Sequence, residues 1–127
     1  MLTIKTKIKE SLIENAGTGL FTTEFIEKGE VIWHKSINDI PVMASEYGSL
    51  KVDGLTDWIE KYCTVDSDGD WYCDKDNCKY CNHSLTPNLL FLDYIGVALI
   101  DIEAGTELTC NYYTISSKEH IDKILNN

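Results

Sequence analysis

The most specific string of polar residues in the chain runs from Asn82 to Asn88 and reads Asn-His-Ser-Leu-Thr-Pro-Asn. It leads directly into the apolar run 89–91. Imidazole and carboxamide groups donate and accept hydrogen bonds, which suits a site for a polar ligand. Asparagines and tight Pro-Asn turns also bond to neighbouring backbone. A purely structural network of polar contacts is therefore the alternative interpretation.

A second unusual string, Ala104–Tyr113, ends in the tyrosine pair Tyr112 and Tyr113. A phenol hydroxyl donates and accepts hydrogen bonds without carrying charge, so Tyr112 is a candidate catalytic residue. A tyrosine pair at the end of a strand is more often part of the core or its rim. Taken alone, the pair leaves both roles open.

A short glycine loop, Gly17-Thr18-Gly19, lies in the N-terminal part of the chain. Glycines let the backbone approach a ligand closely, although a simple tight turn is the usual reason for such a pair. The string is not a dinucleotide-binding fingerprint, because the third glycine is missing and no helix clearly follows. The loop becomes informative only together with the other two strings.

Metal and thiol chemistry is suggested by five cysteines: Cys63, Cys73, Cys78, Cys81 and Cys110. Four thiolates could hold zinc, but there is one CxxC, and Cys63 and Cys73 are separated by nine residues. We expect no metal and interpret the thiols as small apolar side chains of the core. An odd count also disfavours a disulfide framework, and no thioredoxin-like unit surrounds the CxxC.

Two other patterns of reactive or ligating residues are weaker. The acidic turn 66–70 has its glycine in fourth place instead of sixth, so it does not fit a calcium loop and is interpreted as an exposed hairpin tip. A nucleophilic pair of Cys81 and His83 remains open, because such pairs meet in space and not in sequence.

Composition limits the class of protein and of partner. The 127 residues correspond to one domain. No apolar run is long enough to span a bilayer, and no signal peptide is evident, so we expect an intracellular protein, cytoplasmic or nuclear. The net charge is −10, and there is no arginine. Direct nucleic-acid binding is disfavoured, whereas a basic peptide partner would be attracted.

The elements that must position these residues are mostly short strands. The patterns predict strands over 2–9, 30–35, 89–92, 97–102 and 107–110, with residues 93–96 joining the third and fourth. They also predict a helix over 43–62, a hairpin over 62–75 and a C-terminal helix over 116–125. The fold class is therefore mainly β with short helices.

Together and in this order, the strings resemble the SET-domain protein lysine methyltransferases. The matching pieces are 17–21, 26–32, 82–88 and 101–112, within a resemblance that runs from about residue 5 to 113. The resemblance implies one domain over 1–127, with small curled β-sheets and a C-terminal pseudoknot. Residues 41–75 correspond to a variable insert of such domains.

The resemblance also implies roles for individual residues. The expected cofactor is S-adenosylmethionine, approached by the backbone of Gly17, Thr18 and Gly19 and bound by Asn82, His83 and Tyr113. Tyr112 matches the tyrosine whose hydroxyl sits where the methyl group is transferred. The C-terminal helix is expected to close the cofactor or peptide site, or to pair with a second copy in a homodimer.

The implied function is methyl transfer to the side-chain amine of a lysine in a protein or peptide, such as a basic histone-like tail. The alternative is a non-catalytic SET-like module that binds peptides, and a third interpretation, a zinc-binding structural protein, rests on the cysteines alone. The chain departs from the family pattern at Lys79-Tyr80 and at Cys110. The departure at Cys110 leaves the number of methyl groups transferred open.

Overall fold

A computed structural model of the protein describes residues 1–35, 40–42, 64–65, 71–73, 76–92, 94–115 and 118–125. The predicted helix over 43–62 and the acidic turn 66–70 lie outside the described residues. Within the described ranges, none of the helices combines the length and apolarity needed to cross a bilayer.

The described residues form ten strands, two 3-10 helices and one α-helix. In chain order the strands are β1 (Thr6–Glu10), β2 (Thr18–Thr22), β3 (Val31–His34), β4 (Ile40–Val42), β5 (Thr64–Val65), β6 (Trp71–Cys73), β7 (Asn82–His83), β8 (Leu89–Phe91), β9 (Ile95–Ala98) and β10 (Glu107–Cys110). The 3-10 helices span Asn77–Tyr80 and Tyr112–Thr114, and the α-helix, α1, spans Lys118–Leu125. The mainly β class predicted from the sequence is confirmed.

Seven strands make one curled sheet in the order β1-β2-β10-β8-β9-β3, with β7 pairing to β10 off this path. The other three form a separate sheet in the order β4-β6-β5. Antiparallel pairing of β5 with β6 confirms the two arms of the hairpin predicted over 62–75.

The C-terminal strand β10 joins the parts of the larger sheet. It pairs antiparallel with β2, and it pairs parallel with both β7 and β8. The buried side chain of Asn88 fastens it: Nδ2 donates to the carbonyl of Glu107 at 2.8 Å, and Oδ1 accepts from the amide of Thr109 at 2.9 Å. For Asn88 the structural interpretation of the polar string is therefore the one observed.

The core lies where β2, β8 and β10 meet. Its fully buried apolar side chains are Leu20, Phe21, Ile26, Ile32, Leu89, Ile102 and Leu108. Cys78, Cys81 and Cys110 are also buried in this core, as the packing interpretation of the thiols predicted. Cys63 lies outside the described residues. Among the described residues, no cluster of histidine, cysteine and acidic side chains could hold a metal ion.

Several predicted boundaries were wrong. The first strand is Thr6–Glu10 and not 2–9, and Leu2 makes only an isolated bridge to Trp33. The strand predicted over 97–102 is Ile95–Ala98. Gly96, assigned to the connection, lies inside β9 because it packs under Phe91: a Cβ at Gly96 would stand 2.7 Å from a ring carbon of Phe91. A close approach of this kind is what a glycine within a strand often marks.

Candidate functional site

The parallel register of β10 with β7 brings together residues that are far apart in sequence. Asn82 stands opposite Thr109, and His83 stands opposite Cys110. Because β2 pairs with the other edge of β10, the glycine loop that opens β2 lies beside the same strand. The three strings singled out in the sequence therefore meet around β10.

Hydrogen bonds join these strings directly. Asn82 Nδ2 donates to the carbonyl of Thr18 at 3.0 Å. The backbone amide of Tyr112 donates to His83 Nδ1 at 3.0 Å. Four of the predicted site residues therefore form two hydrogen-bonded pairs, and these pairs connect the glycine loop, β7 and the segment that follows β10.

The contact with Tyr112 determines the protonation of His83. Since a backbone amide donates to Nδ1, that nitrogen must be unprotonated, and the neutral ring carries its proton on Nε2. Burial lowers the pKa of His83, because removal from water disfavours the charged ring. The imidazole therefore stays neutral at physiological pH.

Tyr112 is held at both ends. Tyr112 begins a 3-10 helix whose N-cap, Asn111, accepts from the amide of Tyr113 at 3.0 Å. The half-buried ring of Tyr112 packs against the core. Its hydroxyl donates to the carbonyl of Cys81 at 2.7 Å. The phenol oxygen is consequently fixed next to the strand that carries Asn82 and His83.

Tyr113 takes a different position from the other predicted cofactor residues. Its ring meets the His83 ring edge-on, with centroids 5.5 Å apart. Its hydroxyl donates to Asp122 Oδ1 at 2.7 Å, and Lys118 Nζ donates to the other oxygen of Asp122 at 2.6 Å. The hydrogen bond to Asp122 raises the pKa of Tyr113. Tyr113 therefore links His83 to α1.

Glycine is required at the two positions of the loop for different structural reasons. Gly17 adopts φ +76°, which favours glycine, and its carbonyl accepts from the amide of Ser11 at 2.7 Å. Gly19 is buried in β2, where a Cβ would stand 2.6 Å from Glu107 Oε2. The missing side chain of Gly19 makes room for the Glu107 carboxylate. Close approach of a cofactor to these glycines stays a prediction.

Glu107 is a polar residue of this region that the sequence reasoning did not single out. Its side chain is 8% exposed and accepts from Ser11 Oγ at 2.7 Å, the Leu12 amide at 2.9 Å and Asn82 Nδ2 at 3.3 Å. The available signal was an acidic residue at the head of the strand predicted over 107–110, because a carboxylate on a buried strand needs partners.

The nucleophile suggested by Cys81 and His83 is not supported. Cys81 is buried, and its Sγ donates to the carbonyl of Leu108 at 3.5 Å. Contact with Cys110 and burial raise the pKa of Cys81 well above its usual range, so the reactive thiolate is suppressed.

A ligand would find one acceptor and one donor here. Within the described part of the chain, Asn82 Oδ1 and His83 Nε2 have no hydrogen-bond partner, although Asn82 is held through Nδ2 and His83 through Nδ1. The two atoms are rigidly presented and are complementary to a ligand with polar groups of both kinds.

Comparison with solved structures finds the same fold in chains of Polycomb repressive complex 2. One is the Chaetomium thermophilum complex in an autoinhibited conformation bound to S-adenosylmethionine, with 22% identity and a TM-score of 0.72, covering 97% of this chain and 17% of that one. Another is an active complex in the basal state, with 24% identity and a TM-score of 0.66, covering 86% and 15%. The chain thus spans about one sixth of their length.

No curated protein matches the chain significantly by sequence. The family model of the SET domain, however, matches residues 17–113, which include the glycine loop, Asn82, His83 and both tyrosines. That range is well over half of the chain and contains β2, β3 and β7–β10. The chain therefore belongs to the SET-domain family.

Proposed function

We propose that this protein transfers a methyl group from S-adenosylmethionine to the side-chain amine of a lysine in a protein substrate. The observation that carries the proposal is the pair of hydrogen bonds that tie Thr18 to Asn82 and Tyr112 to His83. These bonds bring the expected cofactor residues and the expected catalytic tyrosine together around β10 of a SET-domain sheet.

The residues present fit the proposed cofactor. S-adenosylmethionine supplies an electrophilic methyl group on a sulfonium sulfur and carries amine, carboxylate and nucleobase groups. Asn82 Oδ1 and His83 Nε2 offer an acceptor and a donor to such groups. Gly17, Thr18, Gly19 and Tyr113 complete the proposed cofactor residues. A solved structure of the same fold is bound to S-adenosylmethionine, which supports the assignment.

In this proposal Tyr112 positions the reaction and does not act as an acid or a base. Its hydroxyl is anchored on the Cys81 carbonyl, and its amide is anchored on His83, so the phenol oxygen has little freedom. Attack of the lysine nitrogen on the methyl carbon, with the C–S bond breaking on the opposite side, would require in-line alignment, and restricted geometry of this kind contributes most to such a step. The lysine must be neutral to attack, which removal from water favours.

The charge of the chain supports a basic substrate. A net charge of −10 attracts a lysine-rich segment and accelerates encounter. The absence of arginine argues against direct recognition of nucleic acid, whose phosphates and base edges are most often bound by arginine. We therefore propose a basic, unstructured tail as the substrate class.

The proposal is tested with methyl-labelled S-adenosylmethionine and a lysine-rich protein. The wild type should transfer label to lysine, and Tyr112→Phe should lose most of this activity while keeping its fold. Tyr94→Phe is the matched control, because Tyr94 is 69% exposed, so it should retain activity. Equal transfer by Tyr112→Phe and the wild type would remove Tyr112 from the reaction.

Calorimetry separates the enzyme from the non-catalytic alternative. Binding of S-adenosylmethionine without transfer to any lysine would favour a peptide-binding module. Failure to bind S-adenosylmethionine at all would refute the proposed use of this cofactor.

A further inference from the structure

The Glu107 carboxylate connects two segments that flank the proposed cofactor site. Oε2 accepts from Ser11 Oγ at 2.7 Å and from Asn82 Nδ2 at 3.3 Å, while Oε1 accepts from the Leu12 amide at 2.9 Å. Ser11 and Leu12 belong to the loop between β1 and β2, and Asn82 belongs to β7. One side chain on β10 thus holds both the loop and the amide of Asn82.

We propose that Glu107 is a positioning residue that determines which atom of Asn82 faces the cofactor and that fastens the loop 11–17 beside it. The inference rests on the proposed function, because it assigns Asn82 to cofactor binding.

The orientation of Asn82 follows from donor and acceptor chemistry. Nδ2 is surrounded by two acceptors, Glu107 Oε2 and the Thr18 carbonyl, and only an NH2 group can satisfy both. Rotation of the amide by half a turn would bring Oδ1 against two oxygens. Glu107 therefore keeps Oδ1 as the atom available to a ligand.

The loop is fastened by the same carboxylate. Ser11 Oγ accepts from the Ile13 amide at 3.0 Å while it donates to Glu107, so the bonds continue from the loop into the sheet. Gly19 allows this arrangement, because any larger residue would project a Cβ to within 2.6 Å of Oε2. Residues 10–15 and Gly17 line a depression at this edge of the molecule, so the position of the loop shapes the surface there.

The decisive variant is Glu107→Gln, which keeps the size of the side chain and replaces one acceptor by a donor. In one orientation the glutamine NH2 opposes Asn82 Nδ2, and in the other it opposes the Leu12 amide, so the variant loses a bond either to Asn82 or to the loop. We expect the Kd for S-adenosylmethionine, measured by calorimetry, to rise by about tenfold or more, the effect of one lost hydrogen bond to a charged group. The kcat at saturating S-adenosylmethionine should change much less than the KM for S-adenosylmethionine.

Glu103→Gln is the matched control, because Glu103 is an exposed glutamate four residues before Glu107. Its Kd should equal that of the wild type. A Glu107→Gln protein that is folded by circular dichroism and binds with the wild-type Kd would overturn the inference. If the wild type itself does not bind, the proposed function fails instead, so the two failures are distinguishable.

A double-variant cycle tests whether Glu107 acts through Asn82. Asn82→Ala should weaken binding, and adding Glu107→Gln should weaken it little further. Independent, multiplying effects would refute the positioning role. If Glu107→Gln does not fold, Ser11→Ala replaces it in the calorimetry, because this change removes the hydroxyl that bonds to Glu107 and Ile13 and leaves the bond between Glu107 and Asn82 in place. We then expect a Kd about threefold or more above that of the wild type, and an unchanged Kd would overturn the inference.

Discussion

Removal of the Asn88 side chain should destabilise the protein more than its size suggests. Asn88 is 9% exposed, and its side chain makes two hydrogen bonds to β10, one to the Glu107 carbonyl and one to the Thr109 amide. Asn88→Ala deletes both bonds and leaves two backbone groups without partners in the interior. At about 1–2 kcal/mol for each unsatisfied group, we expect the free energy of unfolding to fall by about 3 kcal/mol.

Urea denaturation of Asn88→Ala and the wild type measures this difference, provided that both unfold in a single transition. Asn111→Ala is the matched control: Asn111 makes one capping bond, to the Tyr113 amide, and is half-exposed, so its loss should cost about 1 kcal/mol or less. Asn88→Asp keeps the acceptor for Thr109 but opposes a carboxylate to the Glu107 carbonyl, so it should be at least as damaging at neutral pH. A loss below about 1 kcal/mol for Asn88→Ala would refute the reasoning that these two bonds hold β10 in place.

Three further predictions concern other parts of the site. Because burial lowers the pKa of His83, the unfolded chain binds more protons than the folded one between that lowered pKa and the usual value of about 6.5. Stability should therefore fall as pH falls through this window, and His83→Gln should flatten this dependence in urea titrations at several pH values. Asp122→Asn should lower the pKa of Tyr113 towards its usual value, seen in ultraviolet titration of the tyrosines, and an unchanged curve would contradict the bond to Asp122. Gly17→Ala should cost about 1 kcal/mol because of its positive φ, whereas Gly17→Asn should cost less. Equal losses for the two variants in urea denaturation would argue against backbone conformation as the cause.

The sequence predicted the strand β10 and made the polar string recognisable because each has a local signature. Glu107–Cys110 alternates polar with apolar residues and is bounded by turn residues, and Asn88 stands next to a Pro in a dense polar run. The roles within the string were not predictable in the same way. Asn88 binds the backbone of β10, whereas Asn82 binds Thr18 and Glu107. Which asparagine serves the fold depends on the register between strands, and no local pattern encodes it.

Gly19 and Gly96 show what a local pattern leaves out. Gly19 was interpreted as part of a loop that lets the backbone approach a ligand, and Gly96 as part of the connection between two strands. In the structure both lie in strands, and each lacks a side chain because another residue occupies the space: Glu107 beside Gly19 and Phe91 beside Gly96. Such requirements come from strand pairing: Phe91 stands opposite Gly96 where β8 pairs with β9, and Glu107 reaches Gly19 because β10 pairs with β2. A single chain therefore identifies the glycine but not the neighbour that demands it.

The pairing register of β10 determines both the contacts of the sheet and the arrangement of the proposed site. Side chains alternate between the two faces of a strand, so a shift of one residue would turn Glu107 away from Gly19 and would move Thr109 off Asn88. The same shift would displace Tyr112, which lies two residues beyond Cys110, from His83. The Asn88 bonds that stabilise the sheet therefore also hold the proposed catalytic tyrosine and the proposed cofactor residues in their mutual positions. A variant that loosens β10 should lose cofactor affinity before it loses its overall fold.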